Sequence, residues 1–483
     1  MADEPSRGAG AAAATVASAV ARLGRAGGRA LTNTIGGEER TRIVVLLASV
    51  LALSSADAST VGASAIHLRA SLHITNTDIG LLVSVTSIVA AIASLPFGVL
   101  ADKVRRTWLL GAAIVLWGVA MIWSATVPSF GQLLVARLFL GAVTAAAGPV
   151  VASLVGDYFH ASERGRIYGF ILAGELIGAG IGFGVTGDIA ALSWRAAFVI
   201  LAIPAFALAW FVFHMPEPKR GGVAEEAGPM EPTDAQRLAR ERGVEADPEL
   251  VLQGDPRRLG LIEATRHILR VRTNIVLIAA SACGYYFLAG LQTFGVEFVT
   301  QQYRIDTALA NLLLLVIGGG AIVGVLAGGT LGDILLRRGF LNARILVAAI
   351  AATACVVLFL PAALTRSATA AVPYLIFAAL ALAAQNPPLD AARLDVMVPL
   401  LWGRAEGVRT LLRTLAMALA PLLFGALSDH VFGGGRQGLQ RTFLVMLIPL
   451  AGSAYFLFTG LRTYPRDVAT AAASIKTETG EGD

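Results

Sequence analysis

Twelve long apolar runs constrain this 483-residue chain more than any other feature. A helix needs about 20 apolar residues to cross the hydrocarbon core of a bilayer. The runs fall at 43–66, 79–100, 107–126, 131–154, 167–188, 196–214, 274–298, 308–332, 345–363, 371–394, 405–428 and 442–461. Read as helices, they predict an all-α integral membrane protein. The composition agrees: 56% of residues are apolar and 15% charged, against roughly 25% charged in a soluble domain. Cys283 and Cys355 both sit inside apolar runs without ligand spacing, so no disulfide framework, metal site or cofactor is expected.

An even number of spans puts both chain ends on one side. Of the 38 Lys and Arg residues, 28 fall in the tails, the even-numbered loops and the central connector. Basic residues concentrate on the cytoplasmic side of membrane proteins, which places both termini in the cytoplasm and the protein in the plasma (inner) membrane. The basic balance is therefore an orientation signal and asks for no nucleic acid. The chain divides into a disordered N-terminal tail (1–41), a six-helix bundle (42–214), a connector (215–273), a second six-helix bundle (274–462) and a tail (463–483) expected to be disordered. Within the connector, 217–258 reads as a linker. Leu259, Ile262, Ile268 and Val271, interleaved with Arg266, Arg270 and Arg272, predict a short amphipathic helix after it.

The two halves repeat. Adding 231 to Gly98, Asp102 and Arg106 gives Gly329, Asp333 and Arg337; adding 238 to Pro149, Asp157, Arg166 and Gly169 gives Pro387, Asp395, Arg404 and Gly407. Parallel repeats of this kind build many carriers. Here a family resemblance enters. Gly98-Val-Leu-Ala-Asp102-Lys103-Val-Arg105-Arg106 is similar to the loop signature between spans two and three of major facilitator superfamily (MFS) transporters. Gly329-Thr-Leu-Gly-Asp333 is its weaker copy, and Arg137-Leu-Phe-Leu-Gly141 resembles the Arg-x-x-x-Gly motif of span four. Ser193-Trp194-Arg195-Ala-Ala-Phe198 before span six also resembles a recurrent family sequence. Arg105 departs from the signature, replacing its second Gly. The resemblance covers residues 42–462 and implies two pseudo-symmetric bundles that rock about a central cavity. It further implies a gating network of Asp102, Arg106, Asp157 and Arg166 at the cytoplasmic ends, mirrored by Asp333, Arg337, Asp395 and Arg404.

Charges inside the spans are the candidate working groups, because each costs about 2.5–3.5 kcal/mol at mid-helix and so faces a partner or a cavity. Asp57 in span one and Arg137 in span four lie at compatible depths for a pair. By resemblance those spans line the cavity, and the pair couples proton binding to substrate binding. Adding 231 to Asp57 gives Leu288, so the second half has no equivalent. Glu175 maps at 238 onto Arg413, a pair able to meet across the cavity or to hold opposite ends of a substrate. Tyr285, Tyr286 and Gln292 in span seven and Gln385 and Asn386 in span ten are uncharged cavity candidates. Pro387 and Pro388 should break span ten nearby. Gly174, Gly178 and Gly182, and Gly320, Gly324, Gly328 and Gly332, form smooth faces for close helix packing.

These readings predict a proton-coupled secondary carrier of a small organic solute, acting as a monomer in the bilayer and not as an enzyme. Two alternatives stand beside it: a spinster-like lipid or lysolipid carrier, suggested by Ala161–Phe170, and a drug efflux antiporter, although Glu175 replaces the proline of the usual antiporter motif.

Overall fold

The computed structural model describes residues 32, 35–159, 161–218, 232–252 and 259–479, with the side chains of 95, 98, 99, 102, 161–166, 168, 172, 261, 400, 403 and 476–479 left out. Among the described residues twelve helical segments are long and apolar enough to cross a membrane, and no strand occurs.

The first bundle contains α1 (Glu38–Leu72), α2 (Asn76–Lys103), α3 (Arg106–Thr126), α4 (Phe130–Thr144), α5 (Ala147–Tyr158), α6 (Ala161–Ile181), α7 (Gly187–Leu192) and α8 (Trp194–Phe213). In the connector lie α9 (Asp234–Glu241) and α10 (Leu261–Ile268). The second bundle contains α11 (Arg272–Tyr303), α12 (Thr307–Arg337), α13 (Ala343–Leu364), α14 (Ala368–Ala384), α15 (Asn386–Asp395), α16 (Trp402–Ala426) and α17 (Gly435–Thr479). The connector face is the one carrying α9 and α10, and the far face is its opposite.

Spans four and ten are each made of two helices, α4–α5 and α14–α15, that break at matched places. The second break, at Gln385, precedes the expected Pro387 and Pro388. A proline cannot donate to the ladder and clashes with the preceding turn, so the helix restarts with the two prolines in its first turn. Pro149 stands at the same point of α5.

Glycine seams set the packing inside each bundle. A methyl group at Gly174, Gly178 or Gly182 would overlap Ala48, Ala52 or Ala56 of α1. In the second bundle Gly320, Gly324 and Gly328 of α12 meet Ile376, Leu380 and Ala384 of α14 in the same way. Without a hydrophobic force between helices in lipid, this close backbone approach is what holds them.

Two expectations need correction. The tail after 463 is not an irregular end: α17 continues as one 45-residue helix to Thr479. Tyr464, Val468, Ala471, Ala472 and Ile475 are buried at helical spacing, which keeps the extension amphipathic and docked. Nor is the described part of 217–258 only a linker. Gln236 of α9 is fully buried and donates to the carbonyls of Asp395, at 2.9 Å, and Met397. The amides of Asp247 and Leu252 donate to side-chain hydroxyls on α17, those of Thr470 at 2.8 Å and Ser474 at 3.0 Å. The helix expected after 259 is present as α10. The tail at 1–31 lies outside the described residues, and α1 starts at Glu38, before the expected limit of 42.

Gly178→Val forces a branched side chain into the Ala52 backbone. Overpacking of this kind costs about 1–3 kcal/mol, so the variant should melt several degrees below wild type in detergent, followed by tryptophan fluorescence. An unchanged melting temperature would mean the seam is looser than described.

Candidate functional site

Asp57 on α1 and Arg137 on α4 meet in the interior of the first bundle. They are 4% and 2% exposed, and Arg137 Nη1 donates to Asp57 Oδ1 at 2.8 Å. Phe198 of α8 supports the guanidinium from one face, 4.6 Å from ring centroid to the guanidinium carbon. Nε and Nη2 of Arg137 are buried and make no hydrogen bond. The pair is thus buried but only singly bonded, which is a costly state for a purely structural ion pair. Leu288, the repeat mate of Asp57, packs against the apolar core. Beside the pair, Thr60 of α1 hydrogen-bonds Thr186 at 2.9 Å, in the π-turn (Gly182–Thr186) that ends α6.

Glu175 and Arg413 do not pair: no ion pair within 4 Å joins them, although each lies in the other's field. Glu175 is exposed and Arg413 half-buried. Arg413 instead lies over the Tyr285 ring, 4.5 Å from its centroid. One turn nearer the connector face, Arg409 is held by Asp390 and by Glu406 at 3.1–3.2 Å, and Arg393 reaches Glu406 at 3.1 Å. Gln292 and Asn386 are both half-buried. The Gln292 carbonyl forms part of the seat for Gly62, while Asn386 stands at the break of span ten. Tyr286 packs toward Phe424, with centroids 6.0 Å apart, which fits a core role better than a cavity role.

The connector-face clusters differ from the expected sets. Arg106 is almost fully buried, bonds Asp157 of α5 and donates to Ser153 Oγ at 2.9 Å. It also pairs with Glu217 at 2.9 Å. That carboxylate caps the start of α3 from the segment after span six, accepting from the amides of Arg106 at 3.2 Å and Thr107 at 3.0 Å. A helix N-terminus has free amides and a positive end, so an anion there is favoured. Burial alone raises the Glu217 carboxyl; the hydrogen bonds from Thr107 and Arg106 outweigh it and hold the group below its ordinary value. The side chains of Gly98, Asp102 and Arg166 lie outside the described residues.

In the second bundle the cation that binds Asp395 is Arg344, which also meets Asp333 at 2.9 Å. Arg337 and Arg404 do not join. Arg337 Nε reaches only the Asp333 carbonyl at 3.4 Å, and Arg404 donates to the Leu259 carbonyl at 3.0 Å. The repeat mate of Arg106 is therefore Arg344, at offset 238, and Arg337 was the wrong partner. The second-half loop between spans eight and nine is longer, and its extra residues fall between Asp333 and Arg344, so the register shifts before this arginine. The signal was readable, since Arg106 plus 238 lands on an arginine.

Toward the far face, side chains of the two bundles meet in hydrogen bonds and ion pairs. Arg69 at the end of α1 bonds the fully buried Glu297 of α11 and donates to Asn76 Oδ1 at 2.8 Å. Asp429 caps the start of α2 across the interface, accepting from the Thr77 amide at 2.7 Å. Asn311 of α12 donates to Asp188 of α7 at 3.2 Å. Backbone contacts seal the same level: a methyl at Gly62, Gly80 or Gly425 would strike the carbonyls of Gln292, Pro421 or Asn76. The described residues thus latch the two bundles together on the far face. None of Arg69, Glu297, Asp188 or Asp429 was among the sequence candidates. Glu297, a carboxylate within an apolar run, was the available signal.

Two outcomes follow from these latches. Glu297→Gln removes one charge from a buried pair, and should raise labelling by a membrane-impermeant maleimide of a cysteine placed at Ser428, a buried and near-isosteric position that meets Asn76 across the same interface, several-fold over the same cysteine in an otherwise wild-type chain. Glu217 stabilises α3 only while ionised, so its contribution is complete above the ordinary carboxylate range and disappears as pH falls through its lowered value. In Glu217→Gln the acid limb of the melting profile should flatten.

Comparison with known proteins places this architecture. The family model of the Major Facilitator Superfamily matches residues 45–421. The probable L-galactonate transporter of Escherichia coli is 28% identical over 178 residues, covering 36% of this chain and 39% of that one. The D-galactonate transporter of Escherichia coli is 23% identical over 316 residues, covering 63% and 69%. The chain therefore spans about two fifths of the first relative's length and 69% of the second's. Among solved structures, a bacterial homologue of the human lysosomal transporter Spinster, inward-facing and unoccupied, superposes with a TM-score of 0.71 at 19% identity, covering 89% of this chain and 98% of that one. That likeness shows a shared fold. With twelve spans in two repeated bundles, and a family match across most of both, the chain belongs to the Major Facilitator Superfamily.

Proposed function

We propose that this chain is a secondary carrier of a small organic anion, driven by protons and working by alternation between states open at one face and then the other. The observation that carries the reading is the Asp57–Arg137 pair, buried, singly bonded and without a counterpart in the second bundle. Withdrawing a cation from a buried carboxylate favours its protonated form. A pair that closes and opens with the bundles therefore takes up and releases a proton once per cycle. The far-face latch supports one end state of that cycle, and Arg106–Asp157 and Arg344–Asp395 brace the connector-face end of each bundle. The bias of basic residues supports a cytoplasmic connector face with the chain in the plasma membrane. The names of the relatives, transporters of L- and D-galactonate, support a hydroxylated carboxylic acid as the solute class.

A second reading rests on one cavity. Between α1, α3 and α4 a small hollow is walled by the apolar side chains of Leu53, Leu110, Ile114, Trp117 and Val143. Such a wall suits an alkyl chain, as a lysolipid carrier would require.

Reconstitution into liposomes with an imposed pH gradient separates the two. The wild type should accumulate D-galactonate only with protons in excess on the entry side. Asp57→Asn should lose gradient-driven accumulation at least tenfold while retaining exchange of internal for external solute. Gradient-driven uptake unchanged in Asp57→Asn removes the proton role. Movement of labelled lysophosphatidylglycerol, with none of galactonate, favours the second reading.

A further inference from the structure

Spans ten and eleven carry a cluster of charges that the fold itself does not require. Asp390, Arg393 and Arg409 have Ala152, Val155 and Ile171 as repeat mates at offset 238. The first bundle builds the same backbone there with apolar side chains. Three guanidinium groups, Arg393, Arg409 and Arg413, share two carboxylates, Asp390 and Glu406. The surplus falls on Arg413. No carboxylate among the described residues lies within 4 Å of it, and its buried Nε has no hydrogen-bond partner. Arg413 also lies nine residues into the span that begins at Arg404, about 14 Å deep at 1.5 Å per residue. A cation at that depth is costly without a partner.

Its surroundings orient it for a ligand. The Tyr285 ring lies against the guanidinium face at 4.5 Å, a cation–π arrangement that fixes the plane and leaves the N–H edge free. Planar N–H pairs match the two oxygens of a carboxylate or phosphate. Glu175, on α6 of the opposite bundle, lies within the longer-range field of Arg413. Arg409, one turn nearer the connector face, is buried and already held by Asp390 and Glu406, so it does not compete for the ligand.

We propose that Arg413, oriented by Tyr285, binds the oxyanion of the transported solute, and that Glu175 is the opposing charge the solute must approach. This deepens the anion-carrier reading above and rests on it. The ligand chemistry is an organic oxyanion, whether the carboxylate of a soluble sugar acid or the phosphate of a lysolipid. Asp57–Arg137 is left to the proton.

Binding to the full chain in nanodiscs tests this, using D-galactonate and lysophosphatidylglycerol as separate probes and galactose as the uncharged control. The wild type should bind one of the oxyanions and not galactose. Arg413→Gln should weaken that binding by about tenfold or more, the range of a lost charge-assisted hydrogen bond. Arg413→Lys, which keeps the charge but not the fork, should fall between. Glu175→Gln should bind as tightly as wild type or severalfold tighter, since a like charge is removed. The probe that binds identifies the source. Binding by Arg413→Gln within twofold of wild type overturns the proposal, as does a wild type that binds neither oxyanion. If binding follows this pattern but wild-type uptake ignores the pH gradient, the proton reading fails and the subsite stands. If uptake follows the gradient and Arg413→Gln binds normally, only the subsite fails.

Discussion

A charge in the hydrocarbon region needs a partner, and the placement of partners organises this molecule. Arg137 is almost completely enclosed, and its single bond to Asp57 is the polar link between α1 and α4 inside the first bundle. Removing one member of such a pair leaves the other uncompensated, at a cost of about 3–5 kcal/mol. That same cost makes the pair responsive.

Duplication accounts for the scaffold, and departures from it mark where chemistry resides. The broken spans and the Arg–Asp clamps recur in both halves, the clamps at Arg106–Asp157 and at Arg344–Asp395, whereas the glycine seams join spans one and five in the first half and spans eight and ten in the second. These are the parts any such pair of bundles requires. Asp57 opposite Leu288, Glu175 opposite Arg413 and the charged face of α15 and α16 break the symmetry. A different asymmetry concerns the connector. Its described helices bind the second bundle: Gln236 on the Asp395 carbonyl, Arg404 on Leu259, and the tail of α17 on Asp247 and Leu252. Tyr464 of that tail also donates to Asp395. The clamp in the second bundle is therefore braced by a docked layer, while the first is met by Glu217 and the Pro218 carbonyl from the segment after span six.

Hydropathy made the spans legible because lipid tolerates few alternatives to an apolar helix, and the number and order of the twelve spans agree with the structure. The Asp57–Arg137 pair was legible for a related reason: two isolated charges at matched depth have few other partners. The far-face latch was not. Arg69, Asp188 and Asp429 lie near span ends, where charges are ordinary, and nothing local in the sequence says which end residues meet across the two bundles. The tail of α17 was misread because alanine and arginine dilute its apolar stripe to Tyr464, Val468, Ala471 and Ile475. Arg344 was missed because the repeat was followed at one offset past the point where an insertion shifted it.

Helix α1 ties the separate sites together. Ala48, Ala52 and Ala56 seat it on the glycines of α6, Asp57 bonds Arg137, Thr60 bonds Thr186, Gly62 abuts the α11 backbone, and Arg69 closes on Glu297. Asp57 and Arg69 are twelve residues apart, about 18 Å along one rod at 1.5 Å per residue. Ala48 to Ala56 seat α1 on α6 over about two turns, so the two helices pack as one unit. Any shift that opens the Asp57–Arg137 pair displaces α4 against the α1–α6 unit, and any shift that opens Arg69–Glu297 displaces that unit against α11. The central charge pair and the far-face latch thus share one rigid body, through which a change in charge at the first is mechanically linked to the second.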